Sequence, residues 1–214
     1  MTEKPKQKRA NFTRERIIRA AMEQLESEGY ANLTVAKVVE RAQHSIGAYM
    51  HHFSSKEKLL VALIDTYHQQ RTEALEDRFG SLRIRNRGDV VYFLQTMMEI
   101  QLGYVINISN EFFMAQRTDT ALRWHGQQVR HNNRERSHQL YRQVFGPEIF
   151  DNSEIFEIID DYTNIFLRSL GILTISRSEG EVSEKKKRWT QQFADMIEAE
   201  IARKTNETSA RANA

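Results

Sequence analysis

Leu33-Thr-Val-Ala-Lys-Val-Val-Glu-Arg-Ala-Gln-His-Ser-Ile-Gly-Ala-Tyr-Met-His-His-Phe-Ser-Ser-Lys-Glu-Lys-Leu-Leu60 is the stretch whose reading decides the fold. Thr34 is placed to cap a helix running through Ala42, with Val35, Val38 and Val39 turned inward. Gln43 and His44 make a tight break. Ser45 caps a second short helix containing Gly47, Ala48, Tyr49 and His51, and Phe53 follows as a core plug. Two short helices around a break of small and polar residues have the form of a helix-turn-helix, whose second helix enters the DNA major groove.

Upstream, Thr13 opens a helix predicted to run to Glu28, with Ile17, Ile18, Ala21, Met22 and Leu25 on one stripe and Gly29 as its stop. Residues 1–11 read as a disordered basic tail. Downstream, Ser54 or Ser55 caps a long helix to about Phe79; Ser54 with Glu57 completes a capping box, whereas Ser55 is followed three places on by Lys58. A basic connector spans Gly80 to Gly88. Further helices are predicted over Asp89–Ile108, Asn110–Arg117, Thr120–Phe145, Ser153–Ser178 and Glu184–Lys204, with Gly146-Pro147 as a break, a loop at Ser178–Ser183 and a frayed tail from Thr205. The class is all-α: a three-helix head with the helix-turn-helix, and a helical body for ligand binding and dimerisation. The expected division is 1–55 for the DNA-binding head, 56–205 for the body and 206–214 for a disordered tail.

Bulk properties fit this frame. The chain has 214 residues, 40% apolar, enough for a sizeable core. It has no cysteine, so disulfides and thiolate metal sites are excluded, and a reducing cytoplasmic setting is expected. No leader pattern is visible at the start, and no run approaches the roughly 18 apolar residues of a membrane span. The net charge of +2 is unevenly spread. Residues 1–55 hold nine basic and six acidic side chains, a surplus of +3, which leaves −1 for the rest. A basic head on a near-neutral body suits attraction to phosphate; a solvated tail that only aids solubility is the alternative.

Residues 13–64 closely resemble the helix-turn-helix region of the tetracycline-repressor (TetR) family. The matching positions are Ala42, the turn Gln43-His44-Ser45, Gly47-Ala48, Tyr49, His52-Phe53 and Ser55-Lys56-Glu57-Lys58-Leu59, preceded by Ile17, Ala20-Ala21, Leu25, Gly29-Tyr30 and Thr34-Val35. Gln43 stands where the family has glycine, and His44 where it has a small apolar residue. Met50 occupies the place of the family's common phosphate-binding tyrosine, with Tyr49 one place earlier.

The resemblance implies a homodimeric regulator, a repressor by default, that binds a palindromic double-stranded operator and is released by a small-molecule inducer. Thr34, Gln43, His44, Ser45, Ile46, Gly47, Tyr49, Met50, His51 and Lys56 are the candidate DNA-contacting residues. Ile46 or Ala48 suits a thymine methyl, and Gln43, His44 or His51 a base edge. Thr34 and Lys56 suit phosphate, and Lys4, Lys6, Lys8 and Arg9 an adjacent groove. Tyr49 is equally suited to the groove or to the core. The inducer pocket is expected in the body, with Tyr92, Met97, Tyr104, Asn107, Phe112, Phe113, Arg117, Trp124, Asn164 and Arg168 as candidate lining. Arg168 suits an anionic ligand group or an ion pair with Asp161 or Asp195. Pairing of two subunits is expected through the last two helices, with Ile155, Ile158, Ile159, Tyr162, Phe166, Ile172, Trp189, Phe193, Ile197 and Ile201 as the seam.

No cofactor and no metal is expected. The alternative is a helical metal-dependent enzyme or an adaptor using the 120–145 helix, where His131, Glu135 and His138 fall on one face. Arg130, Arg134 and Arg136 surround that face and disfavour a cation. No nucleophile elbow, Walker loop or dinucleotide-binding glycine motif occurs.

Overall fold

The computed structural model describes residues 5–103, 111–112, 115–176 and 178–212, without the side chains of 5–8, 101–103, 166–176 and 211–212. Among the described residues every regular element is helical. In chain order these are α1 (Pro5–Glu28), a 3₁₀ turn (Tyr30–Asn32), α2 (Val35–Ala42), α3 (Ile46–His52), α4 (Lys56–Phe79), α5 (Arg87–Gly103), α6 (Thr120–Phe145), α7 (Pro147–Phe150), α8 (Ile155–Ser176) and α9 (Glu179–Ala212). Residues 111–112 and 115–118 are also helical. None of the described helices is long and apolar enough to cross a membrane.

The chain forms two compact units, one of residues 1–69 with 107–131, the other of 70–106 with 132–214. The first therefore takes in the start of α4 as well as the expected 1–55 head. Its core shows why: Leu59, Leu60, Leu63, Ile64 and Tyr67 of α4 are buried together with Ile17, Ala21 and Leu25 of α1, Val38 and Val39 of α2, and Tyr49 and Phe53. Each large apolar side chain so buried contributes about 1.5–3 kcal/mol before conformational entropy is subtracted. A head cut at residue 55 would lack five of them.

The second unit is built around aromatic packing. Phe93 of α5 lies 4.6 Å from Phe79, 5.4 Å from Tyr141 and 5.5 Å from Phe145, measured between ring centroids. Burial pushes the Tyr141 hydroxyl up to about 12. Tyr162 of α8 satisfies its buried hydroxyl between the Leu94 carbonyl (3.3 Å) and Thr190 Oγ1 of α9 (3.1 Å). α9 packs on α5, α7 and α8.

Several helix ends differ from expectation. α1 starts at Pro5, where a ring with fixed φ and no N–H fits the first helical turn, so the segment read as a disordered tail is helical from there. Of the two candidate caps for α4, Ser55 serves, its Oγ accepting the Lys58 N–H at 3.3 Å. α5 begins two residues early because Asn86 and Asp89 cap each other's backbone N–H groups at 3.2 Å. α9 begins at Glu179 because Ser178 and Glu181 form a reciprocal capping box. It continues to Ala212, through the segment expected to fray, with Thr205, Thr208 and Ser209 bonding back to carbonyls one turn earlier. α6 has the predicted bounds; Asp119 caps its start at Leu122 N (2.9 Å), and Gly146, at φ 84°, ends the run before Pro147.

Candidate nucleic-acid interface

The turn between α2 and α3 is closed by backbone bonds. Gln43 N–H reaches Glu40 O (3.0 Å) and His44 N–H reaches Val39 O (2.9 Å), the pairing of a Schellman motif. Gln43 sits in the left-handed region at φ 55°, ψ 45°, the place where glycine is cheapest. Arg16 of α1 donates to Gln43 Oε1 at 3.1 Å and holds this exposed side chain at the turn. Ser45 Oγ accepts the Ala48 N–H at 3.1 Å and starts α3. Thr34 Oγ1 accepts the Lys37 N–H at 3.4 Å and starts α2. Both caps are exposed.

α3 is short, and its faces separate cleanly. Tyr49 is fully buried, its hydroxyl donating to Ser55 O at 3.1 Å and its ring 5.7 Å from Phe53. Burial raises the hydroxyl pKa, with Glu57 adding to the effect. The alternatives for Tyr49 are thereby decided: it fastens α3 to the start of α4 and belongs to the core, not to the groove-facing set. Ala48 is half-buried. The solvent side consists of Ile46 (58% exposed), Gly47, Met50 (51% exposed) and His51. His44 is half-buried, with an Nε2 that is buried and has no hydrogen-bond partner among the described residues.

The basic residues of the head divide into those held internally and those on its surface. Lys37 (2.5 Å) and Arg41 (3.3 Å) are paired with Glu28. The hydrogen bond from Lys37 is the largest influence holding the Glu28 carboxyl below its ordinary range. Arg14 lies over the Phe53 ring at 5.6 Å, and Lys56 over Tyr30 at 4.7 Å. Arg9 and Arg19 are exposed on α1. Lys4 lies outside the described residues, and Lys6 and Lys8 have only their backbone described.

Two contributors carry no signal in the local pattern. Arg16 reaches the turn from 27 residues away. Glu111 accepts the Tyr30 N–H at 2.5 Å from 81 residues away, beside Gly29 in the α1–α2 loop.

The ligand candidates are dispersed. Met97 is core, Phe112 is buried edge-on to Tyr67 (5.6 Å), and Tyr92, Arg117 and Trp124 are exposed. Asn164 is exposed and donates to Asp160 (3.2 Å). Tyr104, Asn107 and Phe113 lie outside the described residues, as does the Arg168 side chain. Asp195, one of its two expected partners, pairs with Arg87 at 2.6 Å. A groove of about 230 Å³ in the second unit is lined by other residues, among them Ile84, Arg87, Val90, Phe145, Glu198 and Ile201. Among the described residues no three His, Asp or Glu side chains gather as metal ligands; His138 packs its ring on Phe150 (4.9 Å) and Phe156 (5.1 Å).

Of the expected dimer seam, Ile155, Ile158, Ile159, Tyr162, Phe193 and Ile197 are buried in the chain's own core, Trp189 and Ile201 are partly buried against it, and the side chains of Phe166 and Ile172 lie outside the described residues. Among the described side chains of α8 and α9, the large apolar ones left exposed are Ile165 and Met196. The apolar surplus of this pair of helices had concealed which stripe faces inward.

Residues 17–63 match the family described as bacterial regulatory proteins, tetR family. The HTH-type transcriptional regulator CymR of Pseudomonas putida is 34% identical over 116 residues, which are 54% of this chain and 56% of that protein. An uncharacterised HTH-type transcriptional regulator of Xanthobacter autotrophicus is 40% identical over 60 residues, 28% of this chain and 30% of its own length. The match thus spans about half of the first relative and under a third of the second. In fold, the chain resembles the regulatory protein TetR from Rhodobacter sphaeroides (TM-score 0.62, 18% identity, 86% of this chain and 98% of that one). It also resembles Salmonella enterica GusR (TM-score 0.63, 16% identity, 89% and 95%).

Proposed function

We propose that this chain, which belongs through residues 17–63 to the tetR family of bacterial regulatory proteins, is a ligand-responsive transcriptional repressor acting as a homodimer on a palindromic operator. The single observation that carries this reading is the solvent face of α3. A helix fastened at Ser45 and Tyr49 presents Ile46, Gly47, Met50 and His51 outward, beside a turn fixed by Arg16. That is the geometry of a reading head and provides none of the acid, base or nucleophile pairs of an enzyme. Thr34 and Lys56 flank it as phosphate contacts.

A head of this size covers about half of an operator, so two subunits are required, with Ile165 and Met196 in the contact. A small molecule held in the body releases DNA by favouring the state in which the two heads no longer match their half-sites. Only its difference in affinity for the two states does this work. The protein acts on cytoplasmic DNA and catalyses no reaction.

The test is selection of duplex DNA from a random pool by the full chain at near-physiological salt. A palindrome with two half-sites, bound with a steep salt dependence, supports the reading; salt-insensitive retention or no enrichment overturns it.

A further inference from the structure

We infer that the head reads thymine methyl groups through an apolar pair, Ile46 and Met50, so that operator choice rests on A·T pairs whose thymines face this pair. The inference rests on the DNA-binding reading and adds the chemistry that is read.

Ile46 and Met50 are four residues apart on α3 and share one helix face. Each is more than half exposed (58% and 51%), although isoleucine and methionine are ordinarily among the buried types. The other positions of α3 leave little for hydrogen-bonded readout. Ser45 Oγ accepts the Ala48 N–H and keeps only its hydroxyl hydrogen and one lone pair, Ala48 is half-buried, and Tyr49 is fully buried with its hydroxyl on Ser55. No arginine, lysine, asparagine or carboxylate lies between Gln43 and His52, so the bidentate contacts that select guanine, or the acceptors that select cytosine, are missing from the reading helix. What remains on the outward arc is Ile46, Met50, Gly47 and His51.

Gly47 is the second, independent sign. Glycine in a helical conformation that also admits a side chain costs about 0.4–1 kcal/mol against alanine, through the freedom it has in the unfolded chain. A Cβ built here would meet only Ser45 Oγ, at an ordinary 3.7 Å, so nothing inside the head requires the missing side chain. A bare backbone next to two exposed apolar side chains fits a surface against which another body lies closely. In the major groove the apolar feature that base edges offer to such a pair is the thymine C5 methyl.

The experiment takes a site selected by the full chain and replaces its thymines one at a time by deoxyuridine, which removes the methyl and leaves base pairing intact. Wild-type protein is expected to lose about fourfold in affinity for each methyl that is contacted, in one or two positions of each half-site. Ile46→Ala and Met50→Ala, both at exposed positions where folding is expected to survive (circular dichroism checks this), should bind the thymine site more weakly. Each should also be indifferent to deoxyuridine at its own position. A selected site that tolerates deoxyuridine throughout overturns methyl reading and leaves the DNA-binding head standing. A deoxyuridine loss that both variants retain in full assigns the methyl to another residue and overturns the pair. Failure to select any site removes the DNA-binding reading and this inference with it.

Discussion

Gly47→Ala should make the protein more stable and a poorer DNA binder. The new methyl has room, with Ser45 Oγ 3.7 Å away, and it removes the conformational freedom that glycine carries into the unfolded chain. The gain is about 0.5–1 kcal/mol, or an upward shift of roughly 1–4 °C in Tm for a chain of this length. On DNA the same methyl stands on the outward arc between Met50 and His51, where the backbone is expected to approach base edges. Forcing a carbon into a packed contact costs about 1–3 kcal/mol, and a dimer on two half-sites incurs it twice. The selected operator should therefore bind about thirtyfold more weakly or worse. Non-specific duplex, held by phosphate contacts alone, should be little affected. Thermal melting by circular dichroism and fluorescence anisotropy on both duplexes measure the three quantities. Undiminished operator affinity would refute the close approach of α3, and a lowered Tm would refute the open space described around Gly47.

Gln43→Gly relieves a left-handed residue at φ 55° but gives up the bond from Arg16. A net gain of about 0.5–1 kcal/mol is expected in urea unfolding, and a loss would show that the Arg16 anchor outweighs the backbone strain. Tyr49→Phe deletes the hydroxyl on Ser55 O and should cost about 1 kcal/mol without changing the selected sequence, whereas Tyr49→Ala should cost about 3–5 kcal/mol. The His52 pKa is lowered from 6.5, first by burial and then by His51, Arg14 and His44. The unfolded chain therefore takes up its proton first on acidification, and the stability this neutral imidazole supports, present above pH 6.5, declines as pH falls below that value. An NMR titration placing His52 above 6.5 contradicts this. Met196→Asp or Ile165→Asp should shift the protein from dimer to monomer in sedimentation velocity while leaving the helical signal intact, and an unchanged dimer would move the contact elsewhere.

What the sequence made legible is local. Thr34 and Ser45 as caps, the turn at Gln43-His44, the Gly146-Pro147 break and both bounds of α6 are each set by one to four neighbouring residues. The start of α9 was equally local: Ser178 and Glu181 spell a capping box, but Gly180 between them gave the segment the composition of a loop. Its end was harder to read. Thr205, Thr208 and Ser209 have low intrinsic preference for helix interiors, and in the folded chain their hydroxyls turn back onto the helix's own carbonyls.

The remaining differences come from packing that no window of sequence contains. Tyr49 was open between groove and core because a tyrosine can serve either. Only the position of Ser55 O, 3.1 Å from its hydroxyl, makes it a core residue, and once it is inward the outward arc of α3 must be Ile46, Gly47, Met50 and His51. The same logic applies to the expected seam of α8 and α9, six of whose residues are buried within the chain. A helix that is apolar on more than one side does not declare which stripe the chain buries for itself. Here Ile155, Ile159 and Tyr162 are taken by the aromatic core around Phe93, and among the described side chains Ile165 and, on α9, Met196 stay exposed. In both cases the residues available to a partner follow from subtraction: the interior claims its side chains first, and only those it leaves exposed can serve a contact.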